Sequence, residues 1–272
     1  MTSAVLSEPP QSRHSRRRPP QALLGAAGLA ALGVALEVVP RLGLVDPAYL
    51  PPFSEMMSAL SQQLANPDFW DALASTMLGW AIGLGIAMVA GVALGVLIGS
   101  VPLLRAATSS TIEFLRPIPS VALIPLAVVL FGTQMTSTLL LVVYASFWQV
   151  LVQVIYGVRD VDPVARETAR SYRFRRLTEV RTVTWPTALP YVMTGLRLAA
   201  AVALILEVSG ELIIGSPGLG NAIAVAQSSG AVATMYALVV VAGTVGVLVN
   251  LLARALERRS LRWHPSVRAE EA

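Results

Sequence analysis

Three charged residues occur in or near an apolar stretch at about residues 187–208. Arg197 and Glu207 lie within the stretch, and Glu211 lies just beyond it. Glu207 and Glu211 are four residues apart, so on a helix both carboxylates share one face. A charge at the centre of a membrane helix costs about 2.5 to 3.5 kcal/mol. Two interpretations stay open. The three side chains line a polar pathway or its outer gate, or Arg197 reaches back to one membrane surface while the acids lie at the other.

Other residue types that build reactive sites are missing from the apolar parts of the chain. There is no Cys, which excludes disulfides and thiolate chemistry. The two histidines, His14 and His264, lie in polar tails, so we expect no His-based catalytic or metal centre. All 20 basic residues are Arg, and a phosphate-binding loop of the ATPase type needs a Lys. The sequence therefore predicts no enzyme activity, no metal and no cofactor bound by this chain.

The composition is that of a membrane protein. Of 272 residues, 55% are hydrophobic and 13% are charged, whereas soluble domains have about 25% charged residues. Five apolar runs are long enough to cross about 30 Å of hydrocarbon, and they lie at about 22–39, 74–99, 135–157, 187–208 and 232–253. A sixth, at about 106–131, is interrupted by prolines. We therefore predict an all-α polytopic membrane protein with six transmembrane helices.

Two segments are predicted to be irregular. Pro117, Pro119 and Pro125 should break or kink the helix of the sixth run, because proline removes a backbone donor. Glycines and a proline cluster within the stretch 210–223, GELIIGSPGLGNAI, which we interpret as a loop, with a re-entrant loop as the alternative.

Small residues recur at every fourth position of the run at 74–99. They are Gly79, Gly83, Ala87, Gly91, Gly95 and Gly99. This spacing puts them on one helix face, where a neighbouring backbone can approach closely. We interpret the face as a helix-packing seam, and a stripe that lines a pathway is the alternative.

The arginines are distributed very unevenly about the predicted membrane. Six crossings put both termini on one side, and 17 of the 20 arginines lie there: Arg13, Arg16, Arg17, Arg18, Arg105, Arg159, Arg166, Arg170, Arg173, Arg175, Arg176, Arg181, Arg254, Arg258, Arg259, Arg262 and Arg268. The other side has only Arg41, beside four acids. Since cytoplasmic loops carry the excess of Arg, both termini and the long loop at 158–186 are predicted to be cytoplasmic. This excess of cytoplasmic arginines also explains the net charge of +4, so the charge does not require a nucleic-acid partner.

The loop at 158–186 is longer than orientation alone requires. Its sequence VDPVARETARSYRF begins with Asp162 as a predicted N-cap and Pro163 at the first helical position. An apolar stripe at helical spacing follows and ends at Trp185 and Pro186. Two short surface helices are predicted, which favours a docking element for a cytoplasmic protein; binding of lipid headgroups by the arginines is the alternative.

These residues resemble the EAA loop of the permease subunits of ABC importers. Glu167-Thr168-Ala169, Arg173 and Trp185-Pro186 match its pattern of E-A-A, three residues, G, about eleven residues, an apolar residue and L-P. In order along the chain, RPIPSVALIPLAVVLFG, VRDVDP, TALPYVMTGLRLA and GSPGLG resemble permeases of the nitrate/sulfonate/taurine type over about residues 70–262. Thr168 replaces an Ala and Arg173 replaces a Gly, a residue suited to a positive φ.

The resemblance implies a MetI-like core of the type I importers. Residues 1–20 would be a disordered cytoplasmic tail, 21–68 the first transmembrane helix with an external connection, 69–256 the permease domain, and 257–272 a cytoplasmic tail.

The implied partners are a second permease copy in a homodimer, two ATPase subunits that bind the ATP, and an extracytoplasmic solute-binding protein. Glu167, Thr168, Ala169, Arg173 and Pro186 would couple the chain to the ATPase. The solute would be nitrate-, sulfonate- or taurine-like, or a vitamin precursor. The chain would carry it across the cell membrane, where membrane lipids would surround the chain. The alternative is an ATP-independent secondary transporter, although no internal repeat of the kind such transporters use is visible.

Overall fold

The computed structural model describes residues 21–263, with side chains from Leu24 onward. The predicted N-terminal tail at 1–20 and the last nine residues of the C-terminal tail lie outside the described residues. The described part forms two compact units, one ending at Ser54 and the other beginning at Glu55.

The regular secondary structure of the described residues is helical, without a strand. The helices are α1 (Gln21–Arg41), α2 (Phe53–Leu64), α3 (Pro67–Ser100), α4 (Pro102–Leu115), α5 (Ile124–Phe131), α6 (Met135–Arg159), α7 (Pro163–Ser171), α8 (Arg176–Glu179), α9 (Trp185–Ile214), α10 (Leu219–Ser228) and α11 (Val232–Ser260). A 3₁₀ turn at Ser120–Leu123 precedes α5, and a π turn at Val180–Thr184 joins α8 to α9. Five helices are long and apolar enough to span a membrane, and the bent pair α4 and α5 makes a sixth candidate. The predicted all-α polytopic fold is confirmed.

Within the first unit, one carboxylate near the end of α1 links this helix to the segment that follows it. Glu37 forms an ion pair with Arg41 one turn later. The same carboxylate accepts hydrogen bonds from the Ser54 backbone N–H at 2.8 Å and from the Ser54 hydroxyl at 3.0 Å. These contacts fix the turn that follows α1.

The centre of the second unit is the packing of α3, α6 and α9. Five glycines of α3 are buried, and four of them face valines of α6: Gly83 on Val142, Gly91 on Val150, Gly95 on Val154 and Gly99 on Val158. A Cβ atom on Gly91 would lie 2.8 Å from the Cβ of Val150, closer than side chains pack. The absence of side chains on this face therefore lets α3 approach the β-branched face of α6 closely.

The proline-rich segment breaks the helix between α4 and α5, which meet at 83°. Pro117 and Pro119 lie in the break, whereas Pro125 lies in the first turn of α5, where a missing N–H interrupts no helical bond. A side chain of α6 satisfies one carbonyl at the break: the Tyr144 hydroxyl donates to the Leu115 carbonyl at 2.6 Å. Such internal satisfaction is what non-helical backbone needs within a membrane.

The second predicted loop helix does not end at Trp185-Pro186, so this boundary was wrong. Residues Arg176–Ile214 form one continuous helical segment of 39 residues. The π turn before Pro186 is the physical reason: the Trp185 N–H reaches back to the Val180 carbonyl, one residue further than in an α-helix. This wider turn accommodates the missing donor of Pro186 without ending the helix.

The prediction of a loop over 210–223 was also wrong. Helix α9 continues to Ile214 and ends at Gly215, whose φ of +81° makes a left-handed C-cap. Only residues 215–218 separate α9 from α10. Leu219 and Ile223 of α10 are buried against Phe69 and Leu238, so hydrophobic packing stabilises a helix that the Gly-rich sequence did not indicate.

Candidate functional site

Helix α7 begins where the sequence predicted. The Asp162 carboxylate accepts a hydrogen bond from the Val164 backbone N–H at 2.8 Å, and Pro163 occupies the first turn. This N-cap satisfies one of the free N–H groups at the start of the helix and sets the point at which the chain leaves α6.

One face of α7 is fixed to the rest of the chain. Ala169 is only 3% exposed. The Arg166 guanidinium donates to the Val158 carbonyl near the end of α6 at 3.3 Å, and its Nε lies 3.9 Å from Glu179 Oε1 in α8. Arg166 therefore links α7 both to the preceding helix and to the start of the 39-residue helical segment.

The opposite face of α7 is open. Glu167 and Thr168 are exposed, and the Thr168 hydroxyl donates to the Val164 carbonyl of its own helix at 2.8 Å. Large apolar side chains that follow α7 along the chain are exposed as well, with Tyr172 at 75% and Leu177 at 80%. An apolar patch of this kind beside polar residues is typical of a protein-binding surface. We call the exposed residues of 163–177 the coupling surface.

Arg173 adopts the conformation for which the family pattern uses Gly. Its φ is +52°, the one positive φ at a non-glycine residue in the described part of the chain. The Phe174 N–H donates to the Ala169 carbonyl at 3.0 Å and the Arg173 N–H to the Arg170 carbonyl at 2.9 Å. These two bonds form a Schellman C-cap with Arg173 at its left-handed position. The turn thus keeps the geometry of a glycine turn and accepts backbone strain of about 1–2 kcal/mol.

Arg197 has a partner that the sequence analysis did not identify. Its guanidinium lies 3.3 Å from Glu257 of α11, and both side chains are partly buried. Glu257 was assigned to the C-terminal tail because the last apolar run ends near 253, but α11 continues to Ser260. The pair connects α9 to α11 about 15 Å along the helix from Glu207.

Glu211 is 1% exposed and is the centre of a buried polar cluster. The Thr76 hydroxyl of α3 lies 2.8 and 2.9 Å from its two oxygens, and the Gly220 N–H donates to it at 2.8 Å. The Leu219 N–H donates to the Thr76 oxygen at 2.8 Å. Glu211 and Thr76 thus hold the first N–H groups of α10, where a helix favours negative charge. We call Thr76, Glu207 and Glu211 the acid cluster.

Glu207, also 1% exposed, lies one helical turn before Glu211. Its carboxylate rests on Gly79, at the position that a Cβ atom would occupy. Its Oε2 atom has no hydrogen-bond partner among the described residues. Thr76 was missed because its only signal in the sequence is one polar residue within an apolar run.

The structure does not bring all the predicted residues together. Glu167, Thr168, Ala169 and Arg173 share α7 and its C-terminal turn, while Pro186 lies at the start of α9. Glu207 and Glu211 are enclosed by α3, α9 and α10 of their own chain, and Arg197 lies apart from them. A role for these three residues in a solute pathway stays a prediction.

Comparison with known proteins gives one consistent family. Residues 87–262 match the family described as "Binding-protein-dependent transport system inner membrane component". The taurine transport system permease protein TauC of Escherichia coli is 32% identical, over 97% of this chain and 99% of the relative. The aliphatic sulfonates permease protein SsuC of Bacillus subtilis, a putative assignment in its own name, is 27% identical over 88% of this chain and 87% of the relative.

A solved structure has the same fold. A chain of the inward-facing MetNI methionine ABC transporter superposes with a TM-score of 0.57 at 18% identity, over 68% of this chain and 92% of that one. This likeness supports the MetI-like core. The chain is therefore a member of the family of inner-membrane permease components of binding-protein-dependent ABC importers.

Proposed function

We propose that two copies of this chain form the pathway by which a small sulfonate, such as taurine, enters the cell. The likeness to TauC over nearly the whole length of both chains supports this substrate class. ATP would be bound by two separate ATPase subunits on the cytoplasmic side, and a solute-binding protein would deliver the substrate outside. No cofactor of this chain takes part.

Glu207 and Glu211 are buried, so their negative charges do not argue against an anionic substrate. Two carboxylates on one face of α9 would repel a sulfonate if they lined its path. Both are 1% exposed, and Glu211 is occupied by Thr76 and the first turn of α10. The substrate would not meet these charges in this conformation.

The coupling surface is the observation that carries the proposal. One face of α7 is held by buried Ala169 and by Arg166, and the other presents Glu167 beside exposed apolar side chains. Arg166 contacts Glu179 at the start of the continuous segment Arg176–Ile214. A displacement of α7 would therefore be transmitted to a membrane-spanning helix. The arginine asymmetry supports a cytoplasmic position for this surface and for both termini.

Charge reversal at Glu167 tests the coupling. The permease is reconstituted in liposomes with its ATPase and binding protein, and uptake of labelled taurine is measured. We expect Glu167→Arg to insert at the normal level and to lose more than tenfold in uptake and in co-purified ATPase. Glu271→Arg, the same reversal near the C-terminus, serves as the control and should keep both. Normal uptake by Glu167→Arg, or uptake by the permease without its ATPase, would contradict the proposal.

A further inference from the structure

A cavity of about 490 Å³ lies between α4 and α6, near the end of α3, and none of its lining residues belongs to the coupling surface. Three arginines line it: Arg105 in the first turns of α4, Arg116 directly after α4, and Arg159 as the last residue of α6. We call it the arginine cavity. Its volume is in the range of small-ligand sites, about 300 to 1,000 Å³.

The arginine cavity lacks balancing negative charge. Glu113 is the one acid in its lining. Within residues 24–263, none of the three guanidinium groups has a carboxylate within ion-pair distance or a recorded hydrogen bond, whereas Arg166 and Arg197 both have partners. Even if Glu113 moves to neutralise one arginine, two positive charges stay in one partly enclosed space. Such an arrangement attracts an anion.

Part of the lining is aliphatic. Ile98 of α3 and Ile155 of α6 are buried at its wall, and Ile112 and Val152 also line it. The lining is completed by Pro117 and by two residues with hydroxyl groups, Ser109 and Tyr156. Arginine recognises a tetrahedral oxyanion through paired N–H donors. The combination of guanidinium groups with an aliphatic wall therefore fits a ligand that has an oxyanion head and an apolar body.

We propose that the arginine cavity is a binding site for a phosphate-type oxyanion, supplied by the headgroup of an anionic phospholipid whose chains leave along the aliphatic wall. In the proposed orientation Arg105 and Arg159 lie at the cytoplasmic ends of their helices, the level at which basic pockets between membrane helices hold such headgroups. A bound lipid would join α4 to α6 beside the broken segment that follows Arg116. Arginines that only set the orientation of the chain in the membrane would not need to converge on one cavity, as these three do from α4 and α6.

The test is a titration of the full-length chain, purified in a neutral detergent, with the thermal unfolding midpoint as readout. The probes are short-chain phosphatidylglycerol, phosphatidylcholine with the same chains, and inorganic phosphate. We compare the wild type with Arg105→Gln/Arg116→Gln/Arg159→Gln. The control, Arg254→Gln/Arg258→Gln/Arg259→Gln, removes the same charge from exposed positions of α11.

We expect a saturable rise of the midpoint with phosphatidylglycerol and none with phosphatidylcholine. The half-saturating concentration should increase at least fivefold in the cavity variant and less than twofold in the control. If inorganic phosphate alone gives the saturable rise and the cavity variant abolishes it, the oxyanion site stands and its ligand is a free anion.

The proposal would be overturned if the control lost as much affinity for phosphatidylglycerol as the cavity variant. It would also be overturned if the cavity variant kept the wild-type affinity. If the triple variant does not fold, Arg116→Gln and Arg159→Gln are tested singly. Each should then weaken phosphatidylglycerol binding by a smaller factor, and an unchanged affinity in both would reject the site.

Discussion

The coupling surface and the acid cluster both place charged residues in unusual positions, but they hold them in opposite ways. On α7 the acid Glu167 is exposed, and the turn after the helix is strained at Arg173. In the acid cluster, Glu211 is buried and accepts from two donors, the Thr76 hydroxyl of α3 and the Gly220 N–H of α10. We propose that a partner protein completes the first region, whereas Glu211 finds its hydrogen-bond partners within the chain. Substitutions should therefore act on partner binding in one region and on folding in the other.

The largest effect on stability is expected for Gly220→Ala. A Cβ atom at Gly220 would overlap the backbone carbonyl of Val208, which cannot move as a side chain can. We expect a loss of about 3 kcal/mol or more in the free energy of unfolding, measured by denaturation in mixed micelles. Gly85→Ala is the control: nothing lies within 4 Å of its Cβ position, so it should be neutral or slightly stabilising. Equal losses in the two variants would contradict the tight packing of α10.

Thr76→Val should have the next largest effect. The change keeps the shape of the side chain but removes the hydroxyl that donates to Glu211 and accepts from Leu219. Leaving these buried groups without partners costs about 1–3 kcal/mol. Thr108→Val is the matched control, since the Thr108 hydroxyl bonds only to Leu104 of its own helix. A loss no greater than the control's would show that the acid cluster does not stabilise the fold.

The smallest effect is expected at Arg173, and it has the opposite sign. Arg173→Gly should stabilise the isolated permease by about 1 kcal/mol, because Gly adopts a positive φ without strain. The same substitution three residues earlier, Arg170→Gly, should destabilise by about 1 kcal/mol, because Arg170 lies within α7. Thermal unfolding of both variants measures the difference. Destabilisation by Arg173→Gly would mean that the turn is built differently.

These two regions also differ in how far they could be predicted. The start of α7 at Asp162-Pro163 is a local signal of capping and proline chemistry, and it was found. The family pattern identified Arg173 at the position of a Gly, but only the structure shows that the turn keeps a positive φ there. The contact between Thr76 and Glu211 joins residues 135 positions apart, and no periodic pattern in the sequence indicates such a contact. Gly79 belongs to a visible repeat, yet its contact with Glu207 depends on how α3 and α9 pack.

The wrong boundaries have a common cause. Gly, Pro and a change in polarity were taken as the ends of helices near Pro186 and at 210–223. Before Pro186 a π turn continues the helix, whereas after Gly215 the burial of Leu219 and Ile223 stabilises a second, separate helix. The proline break between α4 and α5 was predicted because two prolines lie in the segment between the helices, where neither N–H could serve a helix.

The central claim is that α7 faces the cytoplasm and is covered by the ATPase. The chain has no Cys, so Thr168→Cys provides a single exposed thiol. A membrane-impermeant maleimide is applied to right-side-out and inside-out vesicles, with and without the ATPase subunit. We predict labelling only in inside-out vesicles and strong protection when the ATPase is present. Labelling from the outside, or labelling that the ATPase leaves unchanged, would contradict the account.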